Sequence, residues 1–238
     1  MKIAYDGTAY HGWQVQPNAI TIQETLQEGI KKILQKDIGV TGCSRTDAGV
    51  HAKEFYCHLD CDDNIPKEAF LRGLNSVLPN DISVMDAKVV PSDFHARYSA
   101  KGKNYIYNFY YGVTNPFLDR YALRLDREID LDVTNEFCKS LIGKYDFYGF
   151  SSSGRSVEDT VRTVTDCKIY LKDDFVRFDI SANGFLYNMV RIIVGTALGV
   201  SYGRLEADVA KKVFETKDRS LAGQTVPPNG LFLNKVFY

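Results

Sequence analysis

Net charge of either sign is what this 238-residue chain most lacks: 29 lysines and arginines stand against 30 aspartates and glutamates, a formal charge of −1. Such a balance argues, on its face, against a polyanionic partner, so any site for one must be a local patch. Long apolar runs are missing too. None reaches the ~18 residues of a membrane span, and no membrane association is expected. The five cysteines, Cys43, Cys57, Cys61, Cys138 and Cys167, are odd in number and irregularly spaced. That excludes a disulfide scaffold and reads as reduced thiols in a cytoplasmic protein. The first residues, Lys2–Tyr5, are strand-like rather than a targeting segment. Cys57, His58 and Cys61 lack a second Cys/His pair to complete a four-ligand set, so no metal is expected. A phosphate loop is excluded because Gly49 is followed by Val50 and His51 rather than Lys-Ser/Thr. An aspartic-protease dyad is excluded by the want of a second catalytic carboxylate loop.

What is present is an ordinary globular composition, 45% hydrophobic and 25% charged, sufficient for a large core. Residues 21–36 read as a helix, with Thr21 and Glu24 as a capping box and Ile22, Leu26, Ile30, Ile33 and Leu34 on one face. Strands are expected near 38–42 and 53–60, a loop at 43–51, a helix near 66–78 and a strand at 81–90. The strand at 104–111 alternates Tyr105, Tyr107, Phe109 and Tyr111 on one face. The remainder runs through a similar menu: helix 131–142, strands 160–171 and 174–182, helices 186–200 and 205–215, and a closing strand 231–237. Hairpin-connected strands with helices between them imply an α+β fold with a mostly antiparallel sheet and helices on one face. The natural division is 1–103 and 104–238, two similar halves.

The densest chemistry lies between Gly42 and Ala52. Arg45 and Asp47 sit two residues apart in a connector bracketed by glycines, where an adjacent arginine would keep a carboxylate ionised as a nucleophile or a charge stabiliser requires. The same tripeptide also suits an Asx-type turn with a surface ion pair. Arg191 lies inside the apolar run Phe185–Val194, which is costly unless the charge is paired or reaches solvent. Tyr105 suits either core packing or contact with a base. Arg97, Lys101 and Lys103 cluster beside it, cations interleaved with aromatics. Arg155 and Arg162 flank a Ser151–Gly154 stretch that would approach RNA, whereas Arg219 has the setting of a merely solvated charge.

The segment Arg45-Thr46-Asp47-Ala48-Gly49-Val50-His51-Ala52 resembles the active-site signature of the A-type tRNA pseudouridine synthases. Further matches follow in the family's order: Tyr5–Gln16, Leu74–Ile82, Phe94–Arg97 with Lys103–Tyr107, Asn188–Gly195, and Gly230–Leu233. Ser44 departs from the glycine often found before the arginine. The resemblance implies isomerisation of uridine to pseudouridine in the anticodon arm of tRNA, at conventional positions 38, 39 and 40, by a homodimer without a cofactor. It casts Asp47 as nucleophile, attacking C1′ or C6 or abstracting a ribose proton. Arg45 would assist extrusion of the base or hold the backbone near it, Arg191 would pair with Asp47, and Tyr105 would stack on the uracil and help deprotonate C5. Arg97 and Lys103 would contact RNA. The two halves are then expected to enclose a positive cleft, with Arg45, Arg97, Lys101, Lys103 and Arg191 on the Asp47 side. Two rivals remain open, a catalytically silent RNA-binding protein on the same scaffold and a hydrolase needing a second carboxylate about 5–10 Å away.

Overall fold

The computed structural model describes residues 1–61, 65–154 and 157–238; Arg155, expected near RNA, lies outside them. In chain order the elements are β1 (Lys2–Tyr5), α1 (Ile22–Leu34), β2 (Thr41–Gly42), β3 (His51–His58), α2 (Lys67–Val77), β4 (Ile82–Asp86), β5 (Gly102–Tyr111) and β6 (Leu123–Leu125). There follow α3 (Leu131–Ser140), β7 (Gly143–Asp146), β8 (Val161–Lys172), β9 (Phe175–Ala182), α4 (Met189–Ser201), α5 (Val209–Thr216) and β10 (Leu231–Phe237). The class is α+β, and most strand pairs are antiparallel. The pairs β3 with β10 and β5 with β6 are parallel. No helix among the described residues is long and apolar enough to cross a membrane.

The chain divides into two compact units, one of residues 1–101 with 232–238, the other of residues 102–231. In the first, the strands lie in the order β4-β1-β3-β10, with β2 on β3. Helix α1 forms where the periodicity places it: Ile22, Leu26 and Ile30 are wholly buried, and Thr21 caps the start by accepting from the Glu24 amide. Strand β2 is shorter than expected. Helix side chains take over the backbone at Val40, Gln27 accepting from its amide and Gln23 donating to its carbonyl. Strand β4 likewise ends at Asp86, whose carboxylate accepts from the Ala87 amide.

In the second unit the order is β5-β9-β8-β7, with β6 on β5. Strand β5 does not show one buried and one open face. Every residue from Asn104 to Tyr110 is buried, as in a strand covered on both sides. Helix α4 starts at Met189 rather than 186 because Asn188 takes a left-handed backbone (φ 58°), a conformation asparagine tolerates. Helix α5 also starts late. Residues 204 and 205 are spent closing the end of α4, both donating to the Gly199 carbonyl. Two short strands, β6 and β7, were not anticipated.

Candidate active site

The loop between β2 and β3 carries Arg45 and Asp47, and its neighbours hold it at several points. Thr46 is buried; its hydroxyl lies 2.8 Å from that of Tyr5. Its carbonyl accepts from the Trp13 amide at 3.1 Å. The Asp47 carbonyl accepts from the Val50 amide at 3.1 Å, closing a turn whose third residue, Gly49, has φ 76°. That positive φ is what a type II turn asks of its third position. The Gly49 amide in turn donates to the Tyr10 carbonyl. Thr46 is thus clamped while Arg45 is exposed and Asp47 half-buried on either side of it.

The Tyr5–Gln16 segment is the loop's scaffold. Gly12 has φ 84°, and a Cβ there would sit 2.4 Å from the Thr46 carbonyl oxygen. Trp13, almost wholly buried, stacks on Phe55 at 4.2 Å. The Tyr10 hydroxyl donates to Asp81 at 2.6 Å; burial, then that bond, raises its affinity for its proton well above the ordinary phenol. His51, buried at the start of β3, accepts the Gly7 amide on Nδ1 at 3.1 Å, lies equally close to Asp6 and stacks on Phe232. None of these supporting roles was assigned from sequence, although the Tyr5–Gln16 match pointed at the segment. Ser44 is not among the positive-φ positions, so serine fits there without backbone strain.

Arg97 and Lys101 belong to the same unit as Asp47, on the segment between β4 and β5. Arg97 is half-buried and Lys101 exposed. Lys103, Tyr105 and Arg191 belong to the other unit. There Tyr105 is buried on β5 with its ring edge-on to Phe185 at 5.0 Å. Arg191 is half-buried on α4 and does not simply run along the surface to water. Its Nε donates to the Val226 carbonyl at 2.7 Å and its Nη1 to Asn188 Oδ1 at 3.0 Å. The amide of Asn188 donates onward to the Ser152 hydroxyl. Burial raises the Tyr107 phenol, and the Arg191 charge pulls it partly back. Residues 222–226, which sequence reasoning passed over, are therefore part of what holds Arg191. Helix α4 meets that segment backbone to backbone. A Cβ on Gly195 would fall 1.8 Å from the Gln224 carbonyl oxygen, and the Gly223 amide donates to the Thr196 hydroxyl.

Of the weaker RNA candidates, Arg162 donates to the Val161 carbonyl. Arg219 is not simply solvated, since it donates to the Ala222 carbonyl and the Thr225 hydroxyl. Cys57 is buried, which pushes its thiol up to about 12. Cys61 is exposed, and His58 accepts a backbone amide. Among the described residues no three His, Cys, Asp or Glu side chains gather as metal ligands.

A family model described as tRNA pseudouridine synthase matches residues 1–99 and 137–238. A protein named tRNA pseudouridine synthase A 2, from Clostridium perfringens, is 44% identical over 100% of this chain and 98% of its own. Relatives named tRNA pseudouridine synthase A are 45% identical in Thermoanaerobacter sp. (99% and 97% covered) and 46% identical in Caldicellulosiruptor saccharolyticus (100% and 98%). Among solved structures, a chain of the archaeal box H/ACA sRNP Nop10-Cbf5 complex shares 14% identity and a TM-score of 0.36, over 84% of this chain and 44% of that one. So low a score says nothing further about this chain.

Proposed function

The chain belongs to the tRNA pseudouridine synthase family, whose members are isomerases, and from that premise we propose that it acts on uridines of the tRNA anticodon arm with Asp47 as its nucleophile. The reaction breaks the C1′–N1 bond, turns the uracil, and joins C1′ to C5. The C5 proton leaves and N1 gains one, so the atoms balance and no oxidant or group donor is required. An ionised carboxylate suits each of the routes open to it, attack at C1′ or C6 or removal of a ribose proton.

The observation that carries the reading is the clamped Thr46. Its hydroxyl and carbonyl are tied to Tyr5 and Trp13, so the flanking Arg45 and Asp47 start from a fixed backbone, as a positioned nucleophile needs. Arg45, exposed, is proposed to assist extrusion of the target nucleotide. Tyr105 is proposed to stack on the uracil, Arg191 to hold Asp47 ionised, and Arg97 and Lys103 to bind RNA. These roles rest on the family resemblance together with the local settings described above. The homodimer is proposed on the same ground.

The target is tested with unmodified transcripts in which the uridines at positions 38, 39 and 40 are replaced by cytidine. Conversion should vanish from those transcripts and survive in the parent; pseudouridine formed outside the anticodon arm at undiminished rate overturns the assignment. Arg191→Ala should fold, yet lose turnover by roughly a hundredfold or more, the scale on which lost transition-state electrostatics is felt. Near-normal turnover would remove Arg191 from the mechanism.

A further inference from the structure

We propose that Tyr98 and Arg97 form a platform for tRNA, held in place by the imidazoles of His58 and His95, so that His95 is a positioning residue for substrate binding. This rests on the reading of Arg97 as an RNA contact and adds to it. Three successive backbone amides, those of Ala96, Arg97 and Tyr98, point at imidazole nitrogens. His58 Nδ1 accepts from Ala96 at 3.1 Å; His95 Nδ1 accepts from Arg97 at 3.1 Å and from Tyr98 at 3.2 Å. Consecutive amides turned one way usually cradle an anion, but here two imidazole nitrogens fill the place. The turn is closed by the His95 amide donating to the Ser99 hydroxyl and the Ser99 amide to the His95 carbonyl.

The side chains stack in the same order. The His58 and His95 rings lie 4.9 Å apart, the Tyr98 ring is 4.3 Å from His95, and the Arg97 guanidinium stands 5.7 Å from the centre of the Tyr98 ring. Tyr98 is 76% exposed. A large exposed aromatic bearing an arginine is poorly explained by packing, and it suits a single-stranded or splayed nucleotide: the ring offers a stacking surface and the guanidinium meets phosphate.

The arrangement requires both Nδ1 atoms to be unprotonated, since a proton there would face an amide N–H. Burial and then the neighbouring His95 lower the proton affinity of His58; Asp60 opposes this and the Met1 ammonium adds to it. Tyr238, also titratable, donates its hydroxyl to the Ala96 carbonyl. A depressed histidine supports the fold above its unfolded value of about 6.5 and loses that support as pH falls below it. Binding to tRNA should therefore weaken on acidification, the opposite of the gain that added positive charge normally brings to a polyanion complex.

The test measures dissociation constants for unmodified tRNA at about pH 8 and about pH 5.5, below the ordinary histidine value, with folding checked by circular dichroism at each. Wild type should weaken several-fold at the lower pH. His95→Ala should raise Kd roughly fivefold already at the higher pH, as expected for lost hydrogen bonds on a binding segment. His95→Asn should restore affinity, because an asparagine oxygen accepts the same two amides, while His58→Asn, at the histidine whose proton affinity is lowered, should flatten the pH response. Tyr98→Ala should weaken binding comparably. Binding by wild type that strengthens on acidification, or Tyr98→Ala and His95→Ala that bind normally, overturns the platform. Should Arg97→Ala bind normally as well, the reading of Arg97 itself fails; weakening by Arg97→Ala alone condemns only the platform.

Discussion

Gly12 shows how little room the catalytic loop has. Its φ of 84° and the 2.4 Å approach of the Thr46 carbonyl leave no space for a methyl group, and L-residues are strained in that conformation besides. Gly12→Ala is expected to cost ~2 kcal/mol or more, seen as a lowered Tm. It should also reduce turnover through displacement of Thr46; an unchanged melt and normal activity would show that the loop is not braced there. At this scale the sequence was partly legible. Arg45, Asp47 and Arg191 stood out because a charge beside glycines or within an apolar run is chemically conspicuous. The acceptors that hold Arg191, the Val226 carbonyl and Asn188, were not legible. A backbone carbonyl has no sequence signature, and Asn188 read as an ordinary helical residue.

Elements fix these side chains through a few contacts far apart in the chain. Asn75 on α2 makes two hydrogen bonds to Val84 on β4, donating to its carbonyl at 2.9 Å and accepting its amide at 2.8 Å. Asn75→Ala strands both groups on a half-buried strand and should destabilise the protein by about 2 kcal/mol in denaturant titration, with m unchanged. Helix α4 depends in the same way on Gly195, where an added Cβ would meet the Gln224 carbonyl at 1.8 Å. Gly195→Ala should push residues 222–226 away from Arg191, lowering both Tm and turnover, whereas Leu171→Ala, a change at an exposed position, should leave the melt within about 0.5 kcal/mol of wild type. Helices with clean periodicity, such as α1, were readable almost to the residue because capping and burial repeat in the sequence. Boundaries failed where side chains replaced the backbone ladder, as at Val40 and Asp86, or where residues 204 and 205 closed α4. The short strands β6 and β7 escaped because three or four residues are too few for a period to declare itself.

For the whole molecule, the balance of 29 against 30 says that tRNA must be held by selected cations rather than by an overall field. The salt dependence of binding is then a count of those contacts. Removing Arg45, Arg97, Lys101 or Lys103 singly should reduce the slope of log K against log salt by about one each, while Lys31→Ala, at a lysine paired with Asp37, should not. The central claim concerns the carboxylate. Pseudouridine formation in unmodified tRNA should be followed in single turnover for wild type and Asp47→Asn, with tRNA binding measured beside it. The account predicts that Asp47→Asn binds tRNA nearly as tightly and forms no pseudouridine in the anticodon arm; conversion there at a rate close to wild type would contradict it.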